Sequence, residues 1–137
     1  DIPVVAVTGN PDALLSVMLN LVNNARAASD GRGHLHISVN ADESFVSINF
    51  EDDGPGVPAH AQEHLFEPFF TTSASGTGLG LAVARSIARA HHGELDFEAR
   101  GTGACFVLSL PRSNVQVKVE SSTTHATQDS QQLLMNA

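Results

Sequence analysis

The chain of 137 residues contains no tryptophan and no tyrosine, a single cysteine, and only seven lysine and arginine residues against fifteen aspartate and glutamate residues. The lone cysteine excludes an internal disulfide, so we expect a reducing, cytoplasmic setting. Because the formal net charge is −8 and no basic cluster exists, neither nucleic acid nor an anionic membrane is expected as a partner. No apolar run approaches the roughly 18 residues that a membrane-spanning helix needs.

The first residues, Asp1-Ile2-Pro3, have neither the basic nor the apolar region of a signal peptide. The missing initial methionine indicates a fragment of a longer protein, which could still carry a membrane anchor elsewhere.

Apolar periodicity predicts two long helices. Asn10 as N-cap and Pro11 at the first helical position begin one that should extend to about Ala28. The second should run from Gly78 to His91, with Gly93 as its C-terminal cap. A short helix from Ala59 to Leu65 and five strands complete the pattern; the strands are Val4–Val7, His34–Asn40, Phe45–Phe50, Glu94–Ala99 and Ala104–Leu110. This order predicts an α+β fold, a two-layer sandwich with helices on one face of a mixed sheet.

Composition divides the chain near its end. Residues 1–111 form the predicted domain, whereas residues 112–137 are rich in Ser, Thr, Gln and Asn and are expected to be a disordered tail or linker. The alternation of Val115, Val117 and Val119 leaves a short extra strand as an alternative.

Two asparagines share one face of the first helix. Asn20 and Asn24 are four residues apart, so their amide oxygens can approach the same cation. Mg²⁺ prefers such oxygen ligands and usually retains water and substrate phosphates. Asn24 is the preferred ligand and Asn20 its support; the alternative is a solvated helix face.

An acidic, glycine-rich turn follows the third strand. Asp52 stands at the strand end, where its carboxylate can accept a hydrogen bond from an exocyclic amine such as that of adenine. A glycine such as Gly56 lets the backbone approach a flat ring. The alternative is an ordinary Asp-Gly turn.

The segment from Phe66 to Thr77 precedes the second long helix. Its aromatic residues fit either a mobile lid or a loop pinned to the core. The glycines from Gly76 to Gly80 open the helix, where bare amides and the helix dipole favour a phosphate. A Rossmann fingerprint does not fit this context, and the lysine of a P-loop is absent.

The clusters occur in a recognisable order. Asn20–Ala25, Asp52–Gly56, Leu65–Thr72, Gly76–Gly80 and Gly101–Phe106 resemble the N, G1, F, G2 and last glycine boxes of a known family. That family is the catalytic ATP-binding domain of bacterial sensor histidine kinases, within the GHKL superfamily that includes gyrase-type ATPases.

The resemblance implies the Bergerat ATP-binding fold, with ATP and Mg²⁺ as cofactors. Asn24 would hold the metal beside Asn20, and these two are the candidate catalytic residues. The other implied nucleotide contacts are Asp52, Gly54, Gly56, Thr71, Thr72, Gly76, Thr77, Gly78, Leu79 and Gly80. The γ-phosphate would pass to a histidine on a separate dimerisation domain and then to a response regulator of a two-component system. The isolated domain should be a monomer that phosphorylates nothing unaided.

Some features depart from the family pattern. Many relatives carry a basic residue before the G2 glycines or after the N box, where this chain has Thr72–Ser75 and Ala27-Ala28. The stretch around Asn20 most resembles nitrogen-regulation-type kinases, of which a flagellar regulatory kinase is one example. The alternatives are a gyrase-like ATPase or serine kinase, which would place Glu at Asn20, and a degenerate nucleotide-binding interaction module.

Overall fold

The structure is a computed structural model that describes residues 4–71 and 76–114. Its elements, in chain order, are α1 (Pro11–Ala28), β1 (Leu35–Ala41), β2 (Phe45–Asp52), α2 (Ala59–Gln62), α3 (Gly80–Ala90), β3 (Glu94–Arg100) and β4 (Gly103–Pro111). Within those residues, no helix combines the length and the apolar character that crossing a membrane requires. The valines predicted to form an extra strand lie outside the described residues, as does most of the predicted tail.

Helix α1 begins and ends as the sequence predicts. The side chain of Asn10 accepts a hydrogen bond from the Ala13 amide at 3.1 Å, and Pro11 occupies the first turn. At the other end the Ser29 hydroxyl donates to the Ala25 carbonyl at 3.1 Å. The side chains buried along α1 are Leu14, Val17, Leu21 and Ala25, the spacing of an amphipathic helix on a core.

The sheet has the strand order β1-β2-β4-β3, and its described strands are antiparallel throughout. The predicted two-layer sandwich is confirmed, but the described strands do not form the mixed sheet that was expected. Short turns join β1 to β2 and β3 to β4, and such turns can connect only antiparallel neighbours. In the first turn, the Asp42 carboxylate accepts the amides of Ser44 and Phe45, each at 2.7 Å.

The predicted first strand, from Val4 to Val7, is reduced to a single bridge between Val7 and Arg112. Pairing of β4 ends at Pro111, and proline has no amide hydrogen to extend a ladder. Helix α2 is also shorter than predicted, because the chain turns after Gln62 with a bond from the His64 amide to the Ala61 carbonyl.

Both long helices cover one face of the sheet and enclose the core. The sheet contributes the buried residues Phe50, Leu95, Phe106, Leu108 and Leu110. Ile37 and Val39 of β1 remain about half exposed, because the helices pack mainly over the other three strands. Cys105 is fully buried, and burial raises the pKa of its thiol, so it is a packing residue.

The end of α3 differs from the prediction in one residue. The left-handed position is His92, with φ of 61°, and the amides of His92 and Gly93 donate to the carbonyls of Arg89 and Ala88, a Schellman motif. Gly93 is needed for another reason. A Cβ there would collide with the Ser109 carbonyl oxygen, so glycine permits the close approach of β4.

His91 ties the end of α3 to the start of α1. Its Nδ1 donates to the Ile87 carbonyl at 2.7 Å, and its Nε2 accepts the Asn10 amide at 3.0 Å. We expect His91→Ala to lower the free energy of unfolding by about 1–2 kcal/mol, because two hydrogen bonds are lost. Urea denaturation measures this change. The exposed His36 offers a control, His36→Ala, that should change stability by less than about 0.5 kcal/mol; equal losses in both variants would contradict the assignment.

Candidate functional site

Asp52, the last residue of β2, is 7% exposed. Its Oδ1 accepts the Gly54 amide at 2.9 Å and the Ala104 amide at 3.4 Å. No lysine or arginine pairs with this carboxylate among the described residues. Because both of these bonds use Oδ1, Oδ2 is available to a further donor.

The neighbouring Asp53 has a different role. Its carboxylate accepts the His34 amide at 2.7 Å and lies 3.1 Å from His34 Nδ1. The hydrogen bonds from the His34 amide and imidazole hold the pKa of Asp53 below its ordinary value. Asp53 therefore fastens the start of β1 to the end of β2, and Asp52 is the carboxylate that can accept a ligand. Sequence reasoning did not find this contact with His34.

Glycines pack the loop after β2 against the turn between β3 and β4. Gly56 has φ of 75°, and a Cβ there would lie 2.7 Å from the Thr102 carbonyl oxygen. A Cβ on Gly103 would collide with the Asp52 carbonyl oxygen. The last glycine box thus packs directly against the backbone of Asp52. The sequence did not reveal that the Ala104 amide donates to the Asp52 carboxylate.

The second end of the site is the start of α3. This helix begins at Gly80, two residues later than predicted, with Leu79 as N-cap. The Val83 amide donates to the Leu79 carbonyl at 2.9 Å, so the amides of Gly80, Leu81 and Ala82 precede the first intrahelical bond. Such amides, together with the helix dipole, form an anion-binding position.

The two ends of the predicted lid meet at its base. The Phe69 amide donates to the Gly78 carbonyl at 2.9 Å, and both residues are left-handed, with φ of 67° and 73°. A Cβ on Gly78 would lie 2.7 Å from the Phe69 Cα, so only glycine fits. Three other residues predicted to contact the nucleotide are exposed here: Thr71, Gly76 and Thr77. The Thr77 hydroxyl accepts the Leu79 amide at 3.4 Å. Thr72 lies outside the described residues.

Helix α1 connects the two ends. Asn20 Nδ2 donates to the Gly80 carbonyl at 3.4 Å. Two turns further along, the Ala28 Cβ lies 3.6 Å from the Cβ position of Gly54. Asn20, Asn24 and Ala28 share one flank of the helix at a spacing of four, about 6 Å of rise for each step. Asn24 stands one such step along the helix from each of the other two residues.

A separate small pocket lies on the opposite flank of α1. Its lining includes Val22, Arg26, Gly33 and Leu35, and none of the predicted site residues. The described residues contain no group of three or more His, Cys, Asp or Glu side chains arranged to hold a metal ion.

The model of one protein family, described as "Histidine kinase-, DNA gyrase B-, and HSP90-like ATPase", matches residues 9–114. The chain belongs to this family. The matched region contains both ends of the site and the helix that connects them. The resemblance inferred from the order of the boxes is thereby confirmed.

Histidine kinases are among the relatives of this ATPase domain. The signal transduction histidine-protein kinase AtoS of Escherichia coli (strain K12) is 40% identical over 107 residues, 77% of this chain and 18% of AtoS. The sensory histidine kinase/phosphatase NtrB of Rhizobium leguminosarum bv. phaseoli is 37% identical over 124 residues, 79% of this chain and 32% of NtrB. The chain thus spans about a fifth to a third of the length of these relatives. The match to NtrB accords with the resemblance to nitrogen-regulation-type kinases.

The ATPase domain also matches solved structures. The catalytic domain of histidine kinase ThkA is 34% identical and aligns with a TM-score of 0.70, covering 77% of this chain and 71% of that one. The two-layer sandwich is therefore the fold of a histidine kinase catalytic domain.

Within the F box of this ATPase domain, Phe66 fits the interpretation of a loop pinned to the core. Phe66 packs edge-on against Phe106, with ring centroids 6.3 Å apart, whereas Phe69 is 77% exposed. The segment is pinned to the core at Phe66 and presents an apolar side chain to solvent three residues later.

A pH-sensitive pair lies at the start of the predicted lid. His64 Nδ1 lies 2.9 Å from Glu67 Oε1, and this hydrogen bond raises the pKa of His64 above its ordinary value of 6.5. Stabilisation by the pair is therefore complete below pH 6.5 and is lost as the pH rises through the raised pKa. We expect an NMR titration of the His64 imidazole to have its midpoint above 6.5, and Glu67→Gln to lower it. An equal midpoint in the two proteins would contradict the pairing.

Proposed function

We propose that this domain binds ATP with Mg²⁺ and donates the γ-phosphate to a histidine on the dimerisation domain of its own longer protein, in the cytoplasm. The phosphate then passes to a response regulator, an enhancer-binding activator if the nitrogen-regulation resemblance extends to function. One observation supports the proposal above all others. On helix α1, Asn20 bonds to the Gly80 carbonyl and Ala28 lies beside Gly54, so Asn24 would lie between a phosphate position and an adenine pocket.

The adenine pocket fits its ligand in both chemistry and shape. Oδ2 of Asp52 can accept a hydrogen bond from the exocyclic amine, and Oδ1 is held by backbone amides. The glycine loop beside it allows a flat ring to approach the backbone. Gly54 and Gly56 would border the ring.

The phosphate end fits a metal–nucleotide complex. Because Asn20 donates through Nδ2, its Oδ1 is available as a metal ligand beside Asn24. Helix α3 has no acidic residue in its first turn, so no fixed negative charge opposes an anion there. Mg²⁺ would neutralise part of the triphosphate charge, which matters in a domain with few basic residues. Asn20 and Asn24 would orient the triphosphate, with the amides of α3 around its oxygens.

At Asn20 the site offers an amide where the activation of water would require a base. An amide such as Asn20 is a poor base, unlike the Glu of a gyrase-like ATPase at this position. The site can therefore bind and orient the nucleotide, and the acceptor histidine must provide the nucleophile from outside. Slow hydrolysis in the absence of an acceptor follows, since positioning supplies most of the catalysis in phosphoryl transfer.

Apolar side chains beside the phosphate end are consistent with an acceptor that docks there. Phe69 is 77% exposed, Val83 47% and Leu79 37%. Leu79 and Val83 share a face at the start of α3, and Phe69 is bonded to Gly78 next to it. An exposed apolar patch of this kind fits the helical surface of a partner domain.

The test combines nucleotide binding with phosphotransfer. Calorimetry should detect ATP–Mg²⁺ binding to the isolated domain, and its failure at millimolar nucleotide would indicate a degenerate interaction module. Adding the dimerisation domain of the same protein should produce an acid-labile, base-stable phosphate on that domain. Rapid ATP hydrolysis without the added domain would instead support a gyrase-like ATPase, and an acid-stable product would support a serine kinase.

A further inference from the structure

Arg85, on the second turn of α3, lies over the ring of Phe66. Its guanidinium carbon is 4.4 Å from the ring centroid, within the range of a cation–π contact. The same side chain donates through Nε to Glu94 Oε1 at 2.9 Å. Arg89 donates to the other oxygen of this carboxylate at 3.1 Å but makes no described contact with Phe66.

The carboxylate of Glu94 holds Arg85 in place. Burial opposes ionisation of Glu94, but hydrogen bonds from Arg85, the Leu95 amide and Arg89 outweigh it, and its pKa lies below the ordinary value of 4.5. Glu94 is therefore ionised at neutral pH and orients the guanidinium plane. Lysine would keep the charge but lacks the flat group that covers a ring.

Phe66 lies between Arg85 and the core. The Phe66 ring also meets the buried Phe106 ring edge-to-face, so Phe66 contacts both the arginine and the core. Three residues later, Phe69 bonds to Gly78, and Gly80 begins α3 just after. Contacts therefore run from Arg85 on α3 to Phe66, along the chain to Phe69, and through the hydrogen bond to Gly78 back to the start of α3.

We propose that Arg85, oriented by Glu94, is a positioning residue that holds the base of the lid and thereby the α3 amides in their phosphate-binding arrangement. This inference rests on the proposed ATP-binding function. The described contacts of Arg85 are with Phe66 and Glu94, so we expect it to act without contacting the nucleotide. It acts through Phe66, and its loss should affect the triphosphate end of the site and leave the adenine end unchanged.

A first experiment needs no nucleotide. Amide hydrogen exchange by NMR should show the Phe69 amide, which bonds to Gly78, exchanging about five- to tenfold faster in Arg85→Ala, the equivalent of losing one such contact. The matched control is Arg89→Ala, which removes the other arginine of the same carboxylate and should leave this rate within twofold. Equal acceleration in the two variants, or none in Arg85→Ala, would overturn the proposal.

A second experiment measures nucleotide affinity by calorimetry. Arg85→Ala should weaken ATP–Mg²⁺ binding about five- to tenfold with the affinity for adenosine unchanged, and Arg85→Lys should restore only part of the loss. A Phe66→Leu variant lacks the ring but keeps an apolar side chain at this position. Adding Arg85→Ala to that variant should weaken ATP–Mg²⁺ binding no further. Equal weakening of ATP and adenosine would overturn the proposal. If the unmodified chain binds no ATP, the proposed function fails, while the exchange experiment still tests the role of Arg85.

Discussion

Asp52→Asn is expected to weaken ATP binding by roughly 30- to 100-fold, because a charged acceptor is worth about 2–3 kcal/mol when it faces a buried donor. Asparagine can still accept the amides of Gly54 and Ala104 through its carbonyl oxygen, so the loop should keep its shape. Its NH₂ group, however, would face the amine of adenine, and two donors cannot pair.

The same variant should change base selectivity. GTP presents a carbonyl where ATP presents an amine, so the NH₂ group of Asp52→Asn can donate to it, and the preference for ATP over GTP should shrink or reverse. Calorimetry with both nucleotides measures this change. Asp53→Asn is the matched control, since Asp53 is occupied by His34, and it should leave both affinities within about threefold. If Asp52→Asn leaves the preference for ATP over GTP unchanged, or if Asp53→Asn changes it instead, the adenine pocket is not at Asp52.

Asn24→Ala is expected to separate metal binding from base binding. ATP affinity should become nearly independent of Mg²⁺, and phosphotransfer to the added dimerisation domain should fall by roughly 10²–10³-fold, the cost of losing one preorganised polar group. Adenosine affinity should not change, because Asn24 lies about 6 Å of helix rise from Ala28, the residue of α1 that lies beside Gly54.

Asn23→Ala is the control for this variant. Asn23 is exposed and is turned by about 100° around α1 from Asn24, so it should leave metal dependence and transfer unchanged. Titrations of ATP with and without Mg²⁺, and transfer assays with radiolabelled ATP, provide the two measurements. Retained metal dependence in Asn24→Ala would exclude Asn24 as the ligand.

Much of the fold followed from local chemistry. The N-cap of Asn10, the proline that follows it and the apolar spacing of α1 are properties of neighbouring residues, so the bounds of that helix were predicted closely. The hairpin of β1 and β2 depends likewise on alternation and on the turn around Asp42. Strand direction across the sheet and the loss of the first strand depend on pairing between distant segments, which a single sequence does not show.

The candidate site divides in the same way. The order of the asparagines, the carboxylate and the glycines was enough to indicate the family, because each residue type suits one part of a nucleotide. Of two adjacent carboxylates the sequence analysis named Asp52, and the structure gives a reason for that choice: His34 occupies Asp53. The support of Asp52 by Gly103 and Ala104, and the arginine over Phe66, join residues 19 or more positions apart.

By itself, the sequence determined the local elements, the residue types that meet a nucleotide and the family they indicate, since caps, turns and periodicity act over a few residues. Only the tertiary structure decided which side chains remain available to a ligand. That choice is made by packing, because a carboxylate or an amide held by a distant partner is no longer available to a ligand, and such partners are brought together by the fold.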